Sequence, residues 1–147
     1  MSGTIRDTFS RFTNLQVFDL SDNAFTGSIP TTLFELTNLQ GVFLYLNRLY
    51  GSIPNNLGDA PALKDLELYG NRLTGTVPAL LPGQFRNLTT LLLEENQLTG
   101  SISPSICQLR TSGKLLSLWT DCAPTASPRV ICSFPDCCDE CFPISTT

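Results

Sequence analysis

The stretch NRLYGSIP, residues 47–54, decides the fold of this 147-residue chain because near-copies of it recur. The copies are NAFTGSIP at 23–30, NRLTGTVP at 71–78 and NQLTGSIS at 96–103. The asparagines that open successive copies are separated by 24, 24 and 25 residues. Matches of this length at a nearly constant period indicate a repeat array in which each copy is one structural unit.

A second pattern precedes each copy, and it follows the template L-x-x-Φ-x-L-x-x-N, where Φ is apolar. The four segments are LQVFDLSDN (15–23), LQGVFLYLN (39–47), LKDLELYGN (63–71) and LTTLLLEEN (88–96). Alternating apolar residues predict a short strand with one buried face. Apolar residues every three or four positions after each Gly-x-Ile-Pro predict one 3₁₀ or α turn per repeat.

The combined motif L-x-x-L-x-L-x-x-N-x-L-x-G-x-I-P resembles the leucine-rich repeat of the plant-type subclass. The resemblance implies an α/β fold, a right-handed solenoid with a parallel β-sheet on its concave face and short 3₁₀ or α turns on its convex face. Stacked turns would share one core, because no single repeat buries its own apolar face. The repeated asparagines should pair with backbone groups at each corner and form a ladder. Its members are Asn23, Asn47, Asn71 and Asn96.

Three regions follow from the pattern. Residues 1–112 form the repeat array, with a leading half-repeat and four repeats of 24–25 residues. Residues 113–122 form a degraded closing repeat, in which we expect Leu116 and Leu118 to point inward and Asp121 to take the asparagine position. Residues 123–147 form a Cys-rich C-terminal cap, since a repeat array needs a terminal element to cover its core.

Six cysteines occupy the last 41 residues, and we expect them to form disulfides. The even count allows fifteen full pairings, among which the sequence does not choose. A metal site is the rival interpretation, but only one C-x-x-C pair is present, so no metal is expected. Free or redox thiols stay a further alternative. The spacing also resembles the tails of algal, diatom-like leucine-rich-repeat proteins. The residues are Cys107, Cys122, Cys132, Cys137, Cys138 and Cys141.

The N-terminal residues 1–12 contain no apolar signal segment, and the array begins within a repeat. We therefore expect the chain to be the C-terminal part of a longer secreted or membrane-anchored protein, or a truncated gene model. Disulfides favour an extracellular or cell-surface location. Asn87 opens an N-x-T sequon and is a predicted glycosylation site, although it also occupies the repeat position of Asn14 and Asn38.

Composition excludes several functional classes. A net charge of −4 with only two lysines argues against nucleic acid. No apolar run reaches the roughly 18 residues that span a bilayer, so no membrane insertion is expected. The chain lacks histidine and any nucleophile or phosphate-loop motif, so we expect no catalytic residue, no cofactor and no enzymatic activity.

The outward positions of the predicted strands are the candidate ligand face. One predicted column holds Ser21, Tyr45, Tyr69, Glu94 and Trp119, and acidic residues flank it without any lysine or arginine. Tyr and Trp in exposed rows are typical binding anchors, although cross-strand aromatics also stabilise sheets by themselves. We expect a protein or peptide ligand, basic or hydroxyl-rich. The predicted ligand-binding residues are Asp19, Ser21, Phe43, Tyr45, Asp65, Glu67, Tyr69, Leu92, Glu94 and Trp119.

The resemblance implies non-catalytic recognition by a receptor-like protein. Two alternatives from the same subclass are a secreted inhibitor of the polygalacturonase-inhibitor type and a cell-wall structural or interaction protein. A third is ice binding, which needs a flat, regular row of small polar residues. The candidate row is Thr26, Tyr50, Thr74 and Thr99.

Overall fold

The computed structural model describes residues 1–79, 84–121, 130–131, 137 and 140–141. It confirms the predicted fold class, a leucine-rich-repeat solenoid, and its strands form two six-stranded parallel sheets among the described residues. The concave sheet contains β2 (Val17–Asp19), β4 (Gly41–Phe43), β6 (Asp65–Glu67), β8 (Thr90–Leu92), β10 (Ser117–Thr120) and β12 (Glu140–Cys141). The second sheet contains β1 (Ser2–Thr4), β3 (Ala24–Gly27), β5 (Arg48–Gly51), β7 (Arg72–Thr76), β9 (Gln97–Ser101) and β11 (Val130–Ile131).

Short helical turns close the convex side. In the described part of the chain, three are 3₁₀ helices, at Phe9–Arg11, Thr31–Glu35 and Asn55–Asp59, and a fourth is the α-helix α1 at Pro104–Thr111. Helix α1 starts with proline at its first turn, and the side chain of Ser103 accepts a hydrogen bond from the Ile106 N–H. This is a favourable start because proline supplies the right φ and the cap satisfies a free N–H.

The second sheet is a feature that the sequence pattern did not predict. Strand β5 lies within the stretch NRLYGSIP, whose glycine and proline argue against a strand. The strand ends at Gly51, which has a φ of +83°, and Pro54 lies beyond it as the cap of the next 3₁₀ helix. The breaking residues therefore end the strand instead of interrupting it.

The two sheets differ in register. In the concave sheet, residues at the same repeat position face each other, as Val42 faces Leu66. In the second sheet the strands are offset by two residues, so Thr26 faces Arg48 and Tyr50 faces Arg72. The candidate ice-binding row thus runs diagonally, each member displaced by about 6.6 Å along the strand from its neighbour.

The asparagine side chains tie successive turns together. Asn71 Nδ2 donates to Leu44 O, Leu68 O and Tyr69 O at 2.9, 3.0 and 3.3 Å, and Asn71 Oδ1 accepts from Leu49 N at 3.0 Å. Asn47 and Asn96 make the equivalent four contacts one turn earlier and later. Each buried side chain therefore satisfies backbone groups that the corner leaves unpaired.

The residue before each ladder position turns the chain inward. Asp22, Leu46, Gly70 and Glu95 all have positive φ, between 51° and 66°. Only glycine adopts this left-handed conformation without strain, so the three other residues hold it at a cost of about 1 kcal/mol each. The hydrogen bonds of the adjoining asparagines offset that strain.

The prediction for the closing repeat was wrong by two residues. Leu115 and Leu118 are fully buried, whereas Leu116 is 63% exposed, and Leu118 faces Leu91. Leu115 is therefore the leading leucine, and it follows Asn96 by 19 residues instead of the 17 that separate Asn71 from Leu88. The two extra residues lie in α1, because a full α-helix replaces the shorter 3₁₀ turn.

This shift gives Asp121 a different role from the predicted one. Its Oδ1 accepts from Glu95 N at 2.8 Å and its Oδ2 accepts from Asn96 N at 3.0 Å. One turn earlier, the equivalent N–H groups, Gly70 N and Asn71 N, donate to backbone carbonyls of the next turn. A carboxylate replaces those two carbonyls at the end of the ladder, because both of its oxygens accept.

Asp121→Asn should destabilise the fold although asparagine is the repeat residue. One buried N–H would lose its acceptor and face an amide NH₂, which we expect to cost about 2 kcal/mol. Urea unfolding at pH 5.5 measures the change. Asp59→Asn, at an exposed carboxylate of a 3₁₀ turn, is the control. Equal stability of the two variants would contradict the proposed role of Asp121.

The tail continues both sheets. Strand β11 pairs with β9 and strand β12 pairs with β10. Cys137 forms a disulfide with Cys107 of α1, and both residues belong to the buried core. Cys122, Cys132 and Cys138 lie outside the described residues, so their predicted pairing stays a prediction, as do the side-chain chemistry of Cys141 and the region boundaries.

Removing this disulfide should weaken the C-terminal end. The bond joins residues 30 apart in sequence, and loop-closure entropy predicts a loss of about 3.7 kcal/mol. We expect Cys107→Ala and the double variant Cys107→Ala/Cys137→Ala to unfold at similarly reduced urea concentrations, because either change breaks the bond. An unfolding midpoint equal to that of the unchanged chain would contradict a stabilising role.

Candidate functional site

The concave sheet aligns outward side chains in columns that cross its strands. The central column contains Asp19, Phe43, Glu67, Leu92 and Trp119, which face one another in the strand pairing. Two residues further along the chain, just beyond the strand ends, lies a second column, the tyrosine column. It contains Ser21, Tyr45, Tyr69, Glu94 and Asp121.

The position of Trp119 differs from the prediction. Trp119 faces Leu92 and not Glu94, and Leu93 N donates to Trp119 O at 2.9 Å. The cause is the two-residue shift of the closing turn. The structure therefore does not place Trp119 beside the tyrosines, and Asp121 takes the predicted place of Trp119 in the tyrosine column.

Tyr45 and Tyr69 form a parallel stack. Their ring centroids are 4.7 Å apart and the rings are inclined by 4°. The separation matches the distance between neighbouring strands, so the rings lie one above the other along the column. The outer face of Tyr45 is thus directed towards Ser21, and the outer face of Tyr69 towards Glu94.

Ser21 leaves room beside the stack because it is the smallest residue of the tyrosine column. Its hydroxyl donates to Asp19 Oδ1 at 2.7 Å, and its backbone N–H donates to the same atom at 2.9 Å. These bonds hold Ser21 and Asp19 together at one end of the stack. A flat group of a ligand, aromatic or guanidinium, would fit against the outer face of Tyr45.

Glu67 and its neighbours make the face acidic. Burial raises the pKa of Glu67, and repulsion from Asp65 and Asp19 raises it further. Burial also raises the pKa of Tyr69, with smaller contributions from Tyr45 and the nearby glutamates. The Tyr69 phenol consequently keeps its proton and stays a hydrogen-bond donor in a field that favours cationic ligands.

Glu94 is the most buried acid of the predicted ligand face, with 7% of its surface exposed. Its Oε2 is buried and has no hydrogen-bond partner among the described residues. Burial raises the pKa of Glu94 to about 7, and repulsion from Asp121 and Glu95 adds to the effect of burial. Backbone hydrogen bonds oppose the shift but do not cancel it.

Glu94 should make the stability of the chain depend on pH. Its folded pKa of about 7 lies above the usual 4.5, so the folded chain holds the proton more tightly and loses stability as pH rises between these values. In the unchanged chain we expect the free energy of unfolding to fall by about 2 kcal/mol between pH 4.5 and 7.5, and Glu94→Gln should remove this fall. Glu35→Gln, at an exposed glutamate of a 3₁₀ turn, is the control, and urea unfolding at several pH values is the measurement. An unchanged pH profile in Glu94→Gln would contradict this assignment.

Phe43 lies over a gap in the neighbouring column. A Cβ at Gly41 would come within 2.7 Å of the Phe43 ring, so the ring occupies the space that a side chain at Gly41 would take. The aromatic surface of Phe43 therefore leans towards the start of the strands, away from the tyrosine stack. The structure places the predicted ligand residues on one sheet, but their aromatic side chains lie in two columns. Tyr45 and Tyr69 belong to the tyrosine column, whereas Phe43 and Trp119 belong to the central column.

The predicted glycosylation site lies at the edge of the same sheet. Asn87 is exposed, and its Nδ2 donates to Pro61 O at 3.0 Å. Asn38 makes the same kind of bond, to Thr13 O at 2.8 Å. The residue thus fills the repeat position that the sequence indicated, and glycosylation stays a prediction.

The Cys, Asp and Glu side chains of the described residues form no group of three or more that could hold a metal ion. None of the helices in this part of the chain has the length and apolar character required to cross a bilayer.

Comparison with known proteins supports the repeat pattern. A sequence model of the Leucine Rich Repeat matches residues 14–36, 62–83 and 87–109. No curated protein matches the chain at a significant level.

Solved structures share the fold. A TDR receptor is 32% identical with a TM-score of 0.72, over 82% of this chain and 21% of the receptor chain. The Arabidopsis receptor kinase HAESA, in complex with the peptide hormone IDA and the co-receptor SERK1, is 33% identical with a TM-score of 0.69, over 81% and 19%. A plant ice-binding protein is 31% identical with a TM-score of 0.67, over 74% and 34%. This chain therefore spans about a fifth of the two receptors and a third of the ice-binding protein.

Stacked strand-and-turn units around a shared core, with ordered side chains on one open sheet, define a repeat solenoid. The chain is built of leucine-rich repeats and has the leucine-rich-repeat fold. It matches a plant-type leucine-rich-repeat protein and resembles the ectodomains of plant receptor kinases.

Proposed function

We propose that the chain is a non-catalytic recognition module whose concave face binds an extended peptide or protein segment with basic side chains. The observation that carries the proposal is the Tyr45–Tyr69 stack with acids at both of its ends. Asp19 lies beside Ser21 at one end, and Glu94 lies at the other.

The electrostatics of the face support a cationic ligand. The raised pKa values of Glu67 and Glu94 have burial as their main cause and neighbouring acids as a further one. A lysine or arginine of a ligand would relieve that repulsion and stabilise the ionised forms. The stack would supply a hydrophobic and cation–π contact for the same side chain.

An extended ligand suits the geometry of the face. The columns cross successive strands at about 4.8 Å per turn, so five turns offer about 20 Å of aligned side chains. An extended peptide advances about 3.3 Å per residue, and roughly six of its residues would span the face. The HAESA complex contains a peptide hormone, which supports this class of ligand.

We further propose that the chain acts outside the cell, as the C-terminal part of a secreted or membrane-anchored receptor-like protein. The Cys107–Cys137 disulfide supports an oxidising compartment, and the similar receptors are far longer than this chain. A polygalacturonase-type inhibitor or a cell-wall interaction protein would use the same face, and no separate observation favours either. Glycosylation at Asn87 belongs to the same proposal.

Selection from a random 12-residue peptide library displayed on phage tests the proposal. We expect enriched sequences to contain lysine or arginine next to aromatic residues. Calorimetric titration with the best synthetic peptide should show about a tenfold or greater loss of affinity in Tyr45→Ser and in Tyr69→Ser, because each truncation removes a binding anchor.

Tyr50→Ser is the matched control because the third tyrosine of the chain lies on the second sheet and is 57% exposed. Its affinity should equal that of the unchanged chain. Equal losses of affinity in all three variants would show that the peptide does not depend on the stack. A loss of thermal stability in Tyr45→Ser at unchanged affinity would show that the stack only stabilises the sheet.

A further inference from the structure

The structure assigns a second binding site, for an oxyanion, to a pocket at the edge of the concave sheet. The pocket has a volume of about 340 Å³, and its lining includes Lys64, Arg86 and Lys114. Asn87, Leu88 and Thr89 complete the lining. The ligand would carry a sulfate, phosphate or carboxylate group, and the site lies away from the tyrosine stack.

The concentration of cations in this pocket is unusual for the chain. Only nine lysines and arginines occur in 147 residues of net charge −4, and three of them line this one pocket. Both lysines of the chain are among them. A bound anion would be attracted by the charges of this lining.

The three cations come from three successive turns and meet only because the turns stack. Thr89 N donates to Lys64 O at 2.7 Å, and Leu116 N donates to Thr89 O at 2.8 Å. These bonds fix the backbone around the pocket across all three turns. Lys64 precedes its strand directly, whereas Arg86 and Lys114 precede the leading leucines of their turns.

Two residues of the pocket lining, Lys64 and Thr89, make side-chain hydrogen bonds. Lys64 Nζ donates to Gln40 Oε1 at 3.0 Å, a neutral partner that orients the ammonium without cancelling its charge. The Thr89 hydroxyl donates to Asp65 Oδ1 at 2.9 Å, and Asp65 itself is not part of the lining. The fully buried Leu88 forms the apolar floor. The described lining holds three cationic side chains and no carboxylate, so the concavity suits a small anion.

NMR titration of the isotope-labelled chain, produced with its disulfides in a non-glycosylating bacterial host, tests the assignment. Sodium sulfate, sodium phosphate and sodium acetate are the probes, each compared with sodium chloride at equal ionic strength. We expect saturable shifts of the amides of Lys64, Asn87 and Thr89, with a dissociation constant on the order of millimolar. Stronger binding of sulfate and phosphate would indicate a ligand with a tetrahedral anionic group, and stronger binding of acetate a carboxylate ligand.

Lys64→Ala/Lys114→Ala should weaken this binding about tenfold or more, because it removes two of the three cations. Arg48→Ala/Arg72→Ala is the matched control, since it removes two exposed cations from the second sheet and changes the net charge equally. Circular dichroism would verify that both variants are folded. Shifts that do not saturate, or an equal loss in the two variants, would overturn the assignment without affecting peptide binding at the tyrosine stack.

Discussion

The asparagine ladder is the interaction on which the rest of the structure depends. Each inner asparagine makes three hydrogen bonds to carbonyls of two turns and accepts one backbone N–H, all at a buried corner. A parallel stack of short strands would otherwise expose unpaired backbone groups wherever the chain leaves the sheet. Because the ladder satisfies them, strands of only three residues suffice, and every outward side chain in the concave sheet acquires a fixed neighbour on the next turn.

The type of side chain changes at the end of the ladder. Within the array, backbone N–H groups at the corners donate to carbonyls of the next turn. At the last corner, Glu95 N and Asn96 N do not have those carbonyl acceptors. Asp121 meets both with its two oxygens. The same carboxylate lies next in the tyrosine column to Glu94 and contributes to keeping that residue's pKa high. Closing the ladder and setting the charge of the ligand face are therefore coupled through one side chain.

The concave surface is divided by charge. Its acids surround the tyrosine stack, whereas Lys64, Arg86 and Lys114 meet at the edge where the later strands begin. Residues of opposite charge lie close in sequence: Lys64 directly precedes Asp65. Lys64 nevertheless lines the pocket at the sheet edge, whereas Asp65 lies on strand β6. A ligand that carries both signs would therefore meet the face in a single orientation, since reversing it would bring like charges together.

The sequence by itself determined the solenoid, the concave strands and the ladder positions, because they depend on a repeated apolar period and on one side-chain amide per turn. It also indicated the candidate ligand face, since outward positions follow from alternation. Only the tertiary structure decided what depends on register between turns: the second sheet, the stacking of Tyr45 on Tyr69, and the place of Trp119. The repeat period gives only the number of residues per turn. An α-helix and a 3₁₀ turn contain different numbers of residues but cover the same part of the core, so the register between turns follows only from their packing.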